Sequence, residues 1–266
     1  MANQILNIAH RGASASLPDN TLLSFDRAIS ENADMIELDV RKTSDNKLVL
    51  FHDWTISSYS HSSSEINIPK LVSHTNSEEL HNHCQNTGFE LAFLDEVLER
   101  FGNQVDINIE LKAGGYEKEI VDMVNKYDLA NRVIFSSFFP WIIKKIKNYD
   151  KRLKAGWIIG QEQVILLNRL ARPIVSMLFN KMEADSAHLH YEIITPAVIS
   201  HFHLKHIPIF AWTVNSGSVF DYLIEIGVDG IITDQPGVLR SILEKKSKRM
   251  ANQLTGSKIA ASFKNA

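Results

Sequence analysis

One cysteine, Cys84, stands among 266 residues, so no internal disulfide framework holds this chain together. A dominant charge is missing too. With 28 Lys and Arg against 31 Asp and Glu the net charge is −3, and there is no basic field to gather a nucleic acid. No apolar run approaches the ~20 residues that cross a bilayer, so no stable membrane insertion is expected. Met1-Ala2-Asn3-Gln4 has neither a basic segment nor a long apolar one, so no export signal is visible and a cytoplasmic location is expected. Nothing in the sequence speaks to oligomeric state. What is present, 44% apolar and 22% charged residues, is enough to fill one large core.

Chemistry concentrates early. Within residues 8–53, His10, Glu37, Asp39 and His52 stand at the ends of apolar runs. Buried charge is costly unless paired or bound to a metal, so these runs read as strands whose tips open into a polar site. Residues 5–9 form the first run, and His10-Arg11-Gly12 follows at once. Imidazole titrates near neutrality and guanidinium grips phosphate through two hydrogen bonds, so the pair suits proton transfer beside an anion. A capping His next to a surface Arg is the plainer alternative. Gly12 supplies the backbone freedom of a sharp turn. Pro18-Asp19-Asn20-Thr21 then signals a helix start, Leu22, Phe25 and Ile29 recur at helical spacing, and Asn32 is placed to stop the helix.

Residues 35–40 alternate, with Glu37 and Asp39 on one face and Ile36, Leu38 and Val40 on the other. Two carboxylates about 7 Å apart on a strand face repel unless a cation lies between them. Hard divalent ions such as Mg²⁺ or Ca²⁺ prefer such oxygen ligands. A solvent-exposed strand face is the competing reading. Ser44-Asp45-Asn46-Lys47 is a turn signal too short for a parallel crossover, so the flanking runs pair antiparallel. With Asp45-Asn46 as a two-residue loop, His52 lies opposite Asp39 on the same face, and Glu37, Asp39 and His52 converge. A slip of one residue breaks that pairing.

These residues resemble the signature of the glycerophosphodiester phosphodiesterase family, within the phospholipase-C-like phosphodiesterase barrels. That signature runs His-Arg-Gly, a Pro-Glu-Asn-Thr helix start, Glu-x-Asp, then His-Asp. It is matched by His10-Arg11-Gly12, Pro18 to Thr21, Glu37-Leu38-Asp39 and His52-Asp53. Glu110-Leu111-Lys112, Trp212-Thr213-Val214-Asn215 and Gly227 to Asp234 match later pieces, so the resemblance spans roughly residues 5–243. Asp19 stands where the family usually has Glu, Asn46 where the turn usually has Gly, and Trp54-Thr55-Ile56 where Thr and Arg often follow the His-Asp pair.

The resemblance implies metal-dependent hydrolysis of small-molecule glycerophosphodiesters to sn-glycerol 3-phosphate and an alcohol. It implies that Glu37, Asp39 and Glu110 hold one divalent ion, Mg²⁺ or Ca²⁺. Arg11 and Lys112 would then neutralise the phosphate, and His10 and His52 would serve as general base and acid. Trp212 would be a pocket wall against the glycerol moiety. For Glu110 and Lys112 the plainer reading is an ordinary ion pair at a sheet end.

Residues 54–90 are polar with little periodicity, and the resemblance implies an insertion over the barrel mouth. His81-Asn82-His83-Cys84 has no second pair at zinc spacing, so a surface loop is expected there. Leu94, Val97, Leu98 and Phe101 form a helix face closed by Gly102, and residues 105–110 alternate as a strand. Strands then follow at 132–137, 154–159, 186–190, 208–214 and 230–233. Helices lie at 117–127, 141–149, 163–170, 196–203 and 219–226, and one opens at Pro236. Leaving out the hairpin return, eight strands predict an α/β fold of TIM (β/α)8 type, one domain over residues 1–245 with its site at the C-terminal strand ends. Phe138 and Phe139 suit either pocket wall or core, and His188, His190, His201, His203 and His206 read as structural or surface residues. The tail, 246–266, is basic and then low in apolar content, and is expected to fray.

Three other functions share parts of the pattern. A phospholipase-D-like hydrolase of lysophospholipids needs an apolar groove that no loop in the sequence supplies. A non-catalytic phosphate-binding protein needs no pair of proton-transfer histidines. A zinc amidohydrolase barrel would carry His-x-His at its first strand end, and this chain does not.

Overall fold

Short apolar strands alternate with helices along most of the chain. The computed structural model describes residues 5–56, 69–162 and 172–262. β1 (Leu6–His10), α1 (Leu22–Ser30), β2 (Met35–Lys42) and its hairpin partner β3 (Leu48–Leu50) come first. A two-stranded ribbon, β4 (Thr55–Ile56) with β5 (Lys70–Leu71), precedes helices α2 (Ser77–Asn86) and α3 (Leu94–Phe101). Alternation follows: β6 (Asp106–Leu111), α4 (Glu117–Lys126), β7 (Val133–Ser137), α5 (Pro140–Tyr149), β8 (Lys154–Ile159), α6 (Arg172–Met182), β9 (Ser186–His190), α7 (Pro196–His203), β10 (Ile209–Trp212), α8 (Gly217–Ile226), β11 (Gly230–Thr233) and α9 (Pro236–Ser262).

Among the described residues, eight of these strands run parallel in the ring β1-β11-β10-β9-β8-β7-β6-β2, and β1 pairs with β2 to close it. The expected TIM barrel is therefore present. Period-two alternation divides each strand between two cores. Ile36, Leu38, Val40, Ile107 and Ile109 turn outward into a core shared with Phe25, Val97, Ile120 and Ile142 of the helices. Ile8, Met35, Phe210 and Ile232 pack together inside the ring. On β2 that inner face begins apolar at Met35 and becomes charged at Glu37, Asp39 and Arg41, toward the C-terminal end.

The first turn follows its sequence signals. Thr21 caps α1 by accepting the Ser24 N–H, and Asn32 takes a left-handed conformation just past the helix end, as a stop residue should.

Four expectations can be set against the structure. The hairpin is one residue out of the predicted register: Val40 pairs with Leu50 and Thr43 closes on Lys47, so the loop is Ser44-Asp45-Asn46 with Asn46 left-handed at φ +62°. A three-residue turn of this kind needs only one positive φ, which Asn tolerates. Phe51, not His52, therefore meets the Asp39 main chain. Second, residues 54–90 are more than a loop. Helix α2 carries the His81–Cys84 segment and buries Leu80 and Cys84 in a small core with Val49, Phe51, Ile56, Val72 and Leu91. Third, the helix expected at 163–170 lies outside the described residues, and an unforeseen helix occupies Arg172–Met182. Fourth, α9 runs to Ser262, and the Lys, Arg, Ala, Gln and Leu residues of its second half are good helix formers.

Candidate active site

The C-terminal ends of β1, β2 and β6 bring the charged groups together. Register does the positioning: His10 stands beside Glu37, and Asp39 beside Glu110, on neighbouring strands. After His10 the chain turns sharply, with Arg11 at φ +55° and Gly12 at φ +86°. A Cβ on Gly12 would fall 2.3 Å from the Ser24 hydroxyl, so the turn closes onto α1 only with glycine there. This turn aims the Arg11 N–H at Glu37 Oε2, 3.0 Å away.

Glu37, Asp39 and Glu110 are 3%, 0% and 7% exposed, and two cations lie among them. Lys112 Nζ is 2.8 Å from Asp39 Oδ1 and 2.5 Å from Glu110 Oε1. Arg11 Nε is 2.9 Å from Asp39 Oδ2, and its Nη1 donates to Asp19 Oδ2 at 3.0 Å. The Lys112 and Arg11 Nε approaches to these acids are ionic contacts rather than aligned hydrogen bonds, since Asp39 Oδ1, Glu110 Oε1 and Arg11 Nε have no well-directed partner. Asn20 holds Asp39 at two points: its Nδ2 donates to Oδ2 at 2.9 Å and its Oδ1 accepts the Asp39 N–H at 3.0 Å. Burial, then the neighbouring Asp39, pushes Glu37 far above the usual carboxylate range. Burial also works against an ionised Asp39, but Lys112 and Arg11 outweigh it and hold Asp39 well below that range. Three acids thus face two resident cations, and the shortfall of positive charge falls on Glu37.

The two histidines sit on either side of this network. His10 Nδ1 is 2.6 Å from Asp234 Oδ1 at the end of β11. Burial lowers the affinity of His10 for a proton, yet Asp234 and Glu37 raise it overall. Asp234 is itself fixed by Ser14 Oγ at 2.9 Å and Asn215 Nδ2 at 2.5 Å. Despite burial, His10 and these donors bring Asp234 down to about 2. His52 Nδ1 contacts Asp53 Oδ1 at 2.8 Å, and burial together with Lys112 lowers its pKa. Its carbonyl accepts from Arg41 Nε at 3.0 Å and Nη2 at 2.6 Å.

Of the residues singled out from sequence, His10, Arg11, Glu37, His52, Glu110, Lys112 and Trp212 line one cavity of about 120 Å³, and Asp39 lies behind it, fully buried. Trp212 stands edge-on to Phe138 at 5.5 Å, and its Nε1 donates to the His188 carbonyl at 3.0 Å. Carboxylate oxygens of Glu37, Asp39 and Glu110 all lie within 4.8 Å of one another, a set able to hold a divalent metal ion.

The model of the glycerophosphoryl diester phosphodiesterase family matches residues 10–238. This chain belongs to that family. A glycerophosphodiester phosphodiesterase of Caldanaerobacter subterraneus subsp. tengcongensis is 32% identical over 252 residues, covering 90% of this chain and 98% of that one. The Thermotoga maritima glycerophosphodiester phosphodiesterase structure superposes with a TM-score of 0.71 at 25% identity, covering 89% of this chain and 98% of that chain. An Oleispira antarctica phosphodiesterase, solved with its product sn-glycerol-3-phosphate, gives 0.72 at 23% identity and covers 91% of this chain and 97% of that chain. Family membership makes the chain a phosphoric diester hydrolase. No helix among the described residues is long and apolar enough to cross a membrane.

Several residues in and around this cavity escaped the sequence reading. Asp234 ends an apolar strand run just as His10 does, and that was its available signal. Arg41 continues the Glu37–Asp39 alternation by one more step. Asn20 lies in the quoted helix start but carried no assigned role. His188, grouped from sequence with structural and surface histidines, is 1% exposed and lines the cavity. Gly156 makes room for it, since a Cβ there would come 2.3 Å from His188 Nε2.

Proposed function

We propose that this chain hydrolyses glycerophosphodiesters to sn-glycerol 3-phosphate and an alcohol in the cytoplasm, with His10 and His52 as the two proton-transfer groups, one the general base and the other the general acid. The observation that carries the reading is the convergence of two imidazoles, each backed by a carboxylate, on one cavity with three acids and two cations. Anion binding alone requires no such pair.

Asp234 keeps a proton on His10 Nδ1 and stabilises the imidazolium form, leaving Nε2 to face the reacting oxygens. One imidazole takes the proton of the nucleophile, which is water or the neighbouring glycerol hydroxyl, and the other returns a proton to the departing alkoxide; attack by the hydroxyl gives a cyclic phosphate that water then opens to sn-glycerol 3-phosphate. Proton transfer of this kind contributes about 10²–10⁴-fold at each residue. Arg11 and Lys112 offset the negative charge that the phosphodiester brings and that grows in the transition state. Trp212 and Phe138 give the glycerol carbons an apolar wall.

Donor chemistry fits a hard cation. One carboxylate oxygen from each of Glu37, Asp39 and Glu110 lies within 4.8 Å of the others, close enough for the three to share a hard cation. Glu37, Asp39 and Glu110 would hold one Mg²⁺ or Ca²⁺, which when bound adds positive charge against the phosphoryl oxygens.

Release of sn-glycerol 3-phosphate from glycerophosphocholine, followed by coupled assay, tests the proposal. EDTA should abolish it, and added Mg²⁺ or Ca²⁺ should restore it. Full turnover in chelator would remove the metal from the mechanism; no release from any glycerophosphodiester would reject the function.

A further inference from the structure

We infer that a second cavity beside the catalytic pocket seats the leaving alcohol, and that its walls suit a cyclic polyol. The inference rests on the proposed hydrolysis and concerns which diester is cleaved best.

The second cavity, of about 270 Å³, shares His52, Glu110, Lys112 and Phe138 with the catalytic pocket. Its own walls are Arg41, Asp53, Trp54 and Phe139, with Leu111. At about 30 Å³ per liquid water it is far larger than a niche for one solvent molecule and admits a six-membered ring. His52 stands between the two spaces. An alcohol that departs on the His52 side of the phosphate has the rest of its body in the second cavity, whose lining does not include Trp212.

Three features of the walls define the occupant. Trp54, 54% exposed, is one wall of the cavity. Phe139 adds a second aromatic surface. Arg41 is only 5% exposed, its guanidinium lies 4.3 Å over the Trp54 ring, and its described hydrogen bonds use Nε and Nη2 alone. Among the described residues no carboxylate reaches ion-pair distance of Arg41. Arg41 brings its guanidinium and Asp53 its carboxylate to the cavity wall. Aromatic faces for the C–H side of a ring, with a guanidinium and a carboxylate for its hydroxyls, match a cyclic polyol. A quaternary ammonium fits worse, since Arg41 already occupies one face of Trp54 with positive charge.

The test compares glycerophosphoinositol with glycerophosphocholine on the full-length metal-loaded enzyme and its Trp54→Ala and Trp54→Phe variants. Wild type should favour the inositol diester by about tenfold or more in kcat/KM, the worth of one stacked ring with its hydrogen bonds. Trp54→Ala should erase most of that ratio through KM, and Trp54→Phe should retain it. A wild-type ratio near one, an unchanged ratio in Trp54→Ala, or equal losses on both substrates would overturn the subsite while leaving the hydrolase standing. Failure to cleave either diester would overturn the proposed function, and this inference with it.

Discussion

The barrel's two arcs share one cavity and handle it in opposite ways. From β11 through β1 and β2 to β6, the rim carries Asp234, His10, Arg11, Glu37, Asp39, Glu110 and Lys112. From β7 to β10 the same cavity is faced by Ser136, Ile158, His188 and Trp212, with no ionised side chain. In the charged arc the ionised groups are compensated by a neighbour of opposite sign. In the neutral arc polar atoms are left over: Ser136 Oγ and His188 Nδ1 are buried without a partner among the described residues. The difference teaches where function sits. Charge that must meet a phosphodiester is gathered on adjacent strands, where register fixes it, and the opposite wall is kept uncharged for carbon and hydroxyl.

The comparison breaks first on catalysis. His10→Ala and His52→Ala should each lower kcat by about 10²–10⁴-fold with far-UV circular dichroism unchanged, whereas Trp212→Phe on the neutral wall should lower kcat/KM only by roughly threefold to tenfold. Comparable losses at Trp212 and the histidines would show that the arcs do not divide the labour. Lys112→Met tests compensation itself. Removing that ammonium leaves Asp39 and Glu110 buried beside each other, and should cost about 3–5 kcal/mol in urea unfolding. A neutral result would mean that the acids are not ionised together in the folded chain.

Much of this was visible beforehand, for reasons that differ by residue. Lys154–Ile159 and Gly230–Thr233 are bounded, largely apolar runs, and their strands fall where the runs do; the weaker Ser186–His190 signal also marks a strand. Glu37 and Asp39 share a face because period two is a property of any strand. His52 reached the site by a different path from the one its spacing suggests. The chain leaves the ladder after Leu50, and Arg41 holds the His52 carbonyl as the chain turns back toward the cavity. A Ser-Asp-Asn-Lys turn does not reveal whether two or three residues form its loop, so the register was not legible. Arg41 was missed because the run was ended at Val40. The partnership of His10 with Asp234 spans 224 residues, and only ring closure between β1 and β11 brings them together. Helix α2 escaped because only Leu80 and Cys84 among its residues are buried, too sparse a stripe to show as periodicity.

Acid sensitivity sharpens the contrast further. Burial brings His188 from an ordinary 6.5 down to about 3. The unfolded chain therefore binds a proton below about 6.5 that the folded chain refuses until near 3. His188 leaves stability intact above pH 6.5 and takes it away as pH falls through that window, by up to about 1.4 kcal/mol per pH unit. Asp234, held at about 2, adds stability that is present above the ordinary carboxylate pKa and lost only as pH falls toward 2. Glu37, raised to about 8 by burial and by Asp39, pulls the slope the opposite way above the ordinary carboxylate pKa, so the difference between wild type and a His188 variant isolates the neutral arc. In His188→Leu the unfolding free energy should lose about one proton's worth of that slope. A slope identical to wild type would mean that His188 takes up its proton in the folded state.

Ser136→Ala probes the neutral arc at its mildest. Ser136 is fully buried on β7 beside Glu110, yet its Oγ makes no hydrogen bond within the described protein. Deleting a buried hydroxyl that has a partner costs about 1 kcal/mol, but deleting one without a partner removes a desolvation penalty instead. The alanine variant should therefore unfold at an equal or slightly higher urea concentration than wild type, by up to roughly 1 kcal/mol, with activity within about twofold. A clear loss of stability would show that the hydroxyl is bonded after all. A loss of activity with stability intact would assign Ser136 to the substrate's hydroxyls, and the neutral wall would then take part in recognition as directly as the charged one.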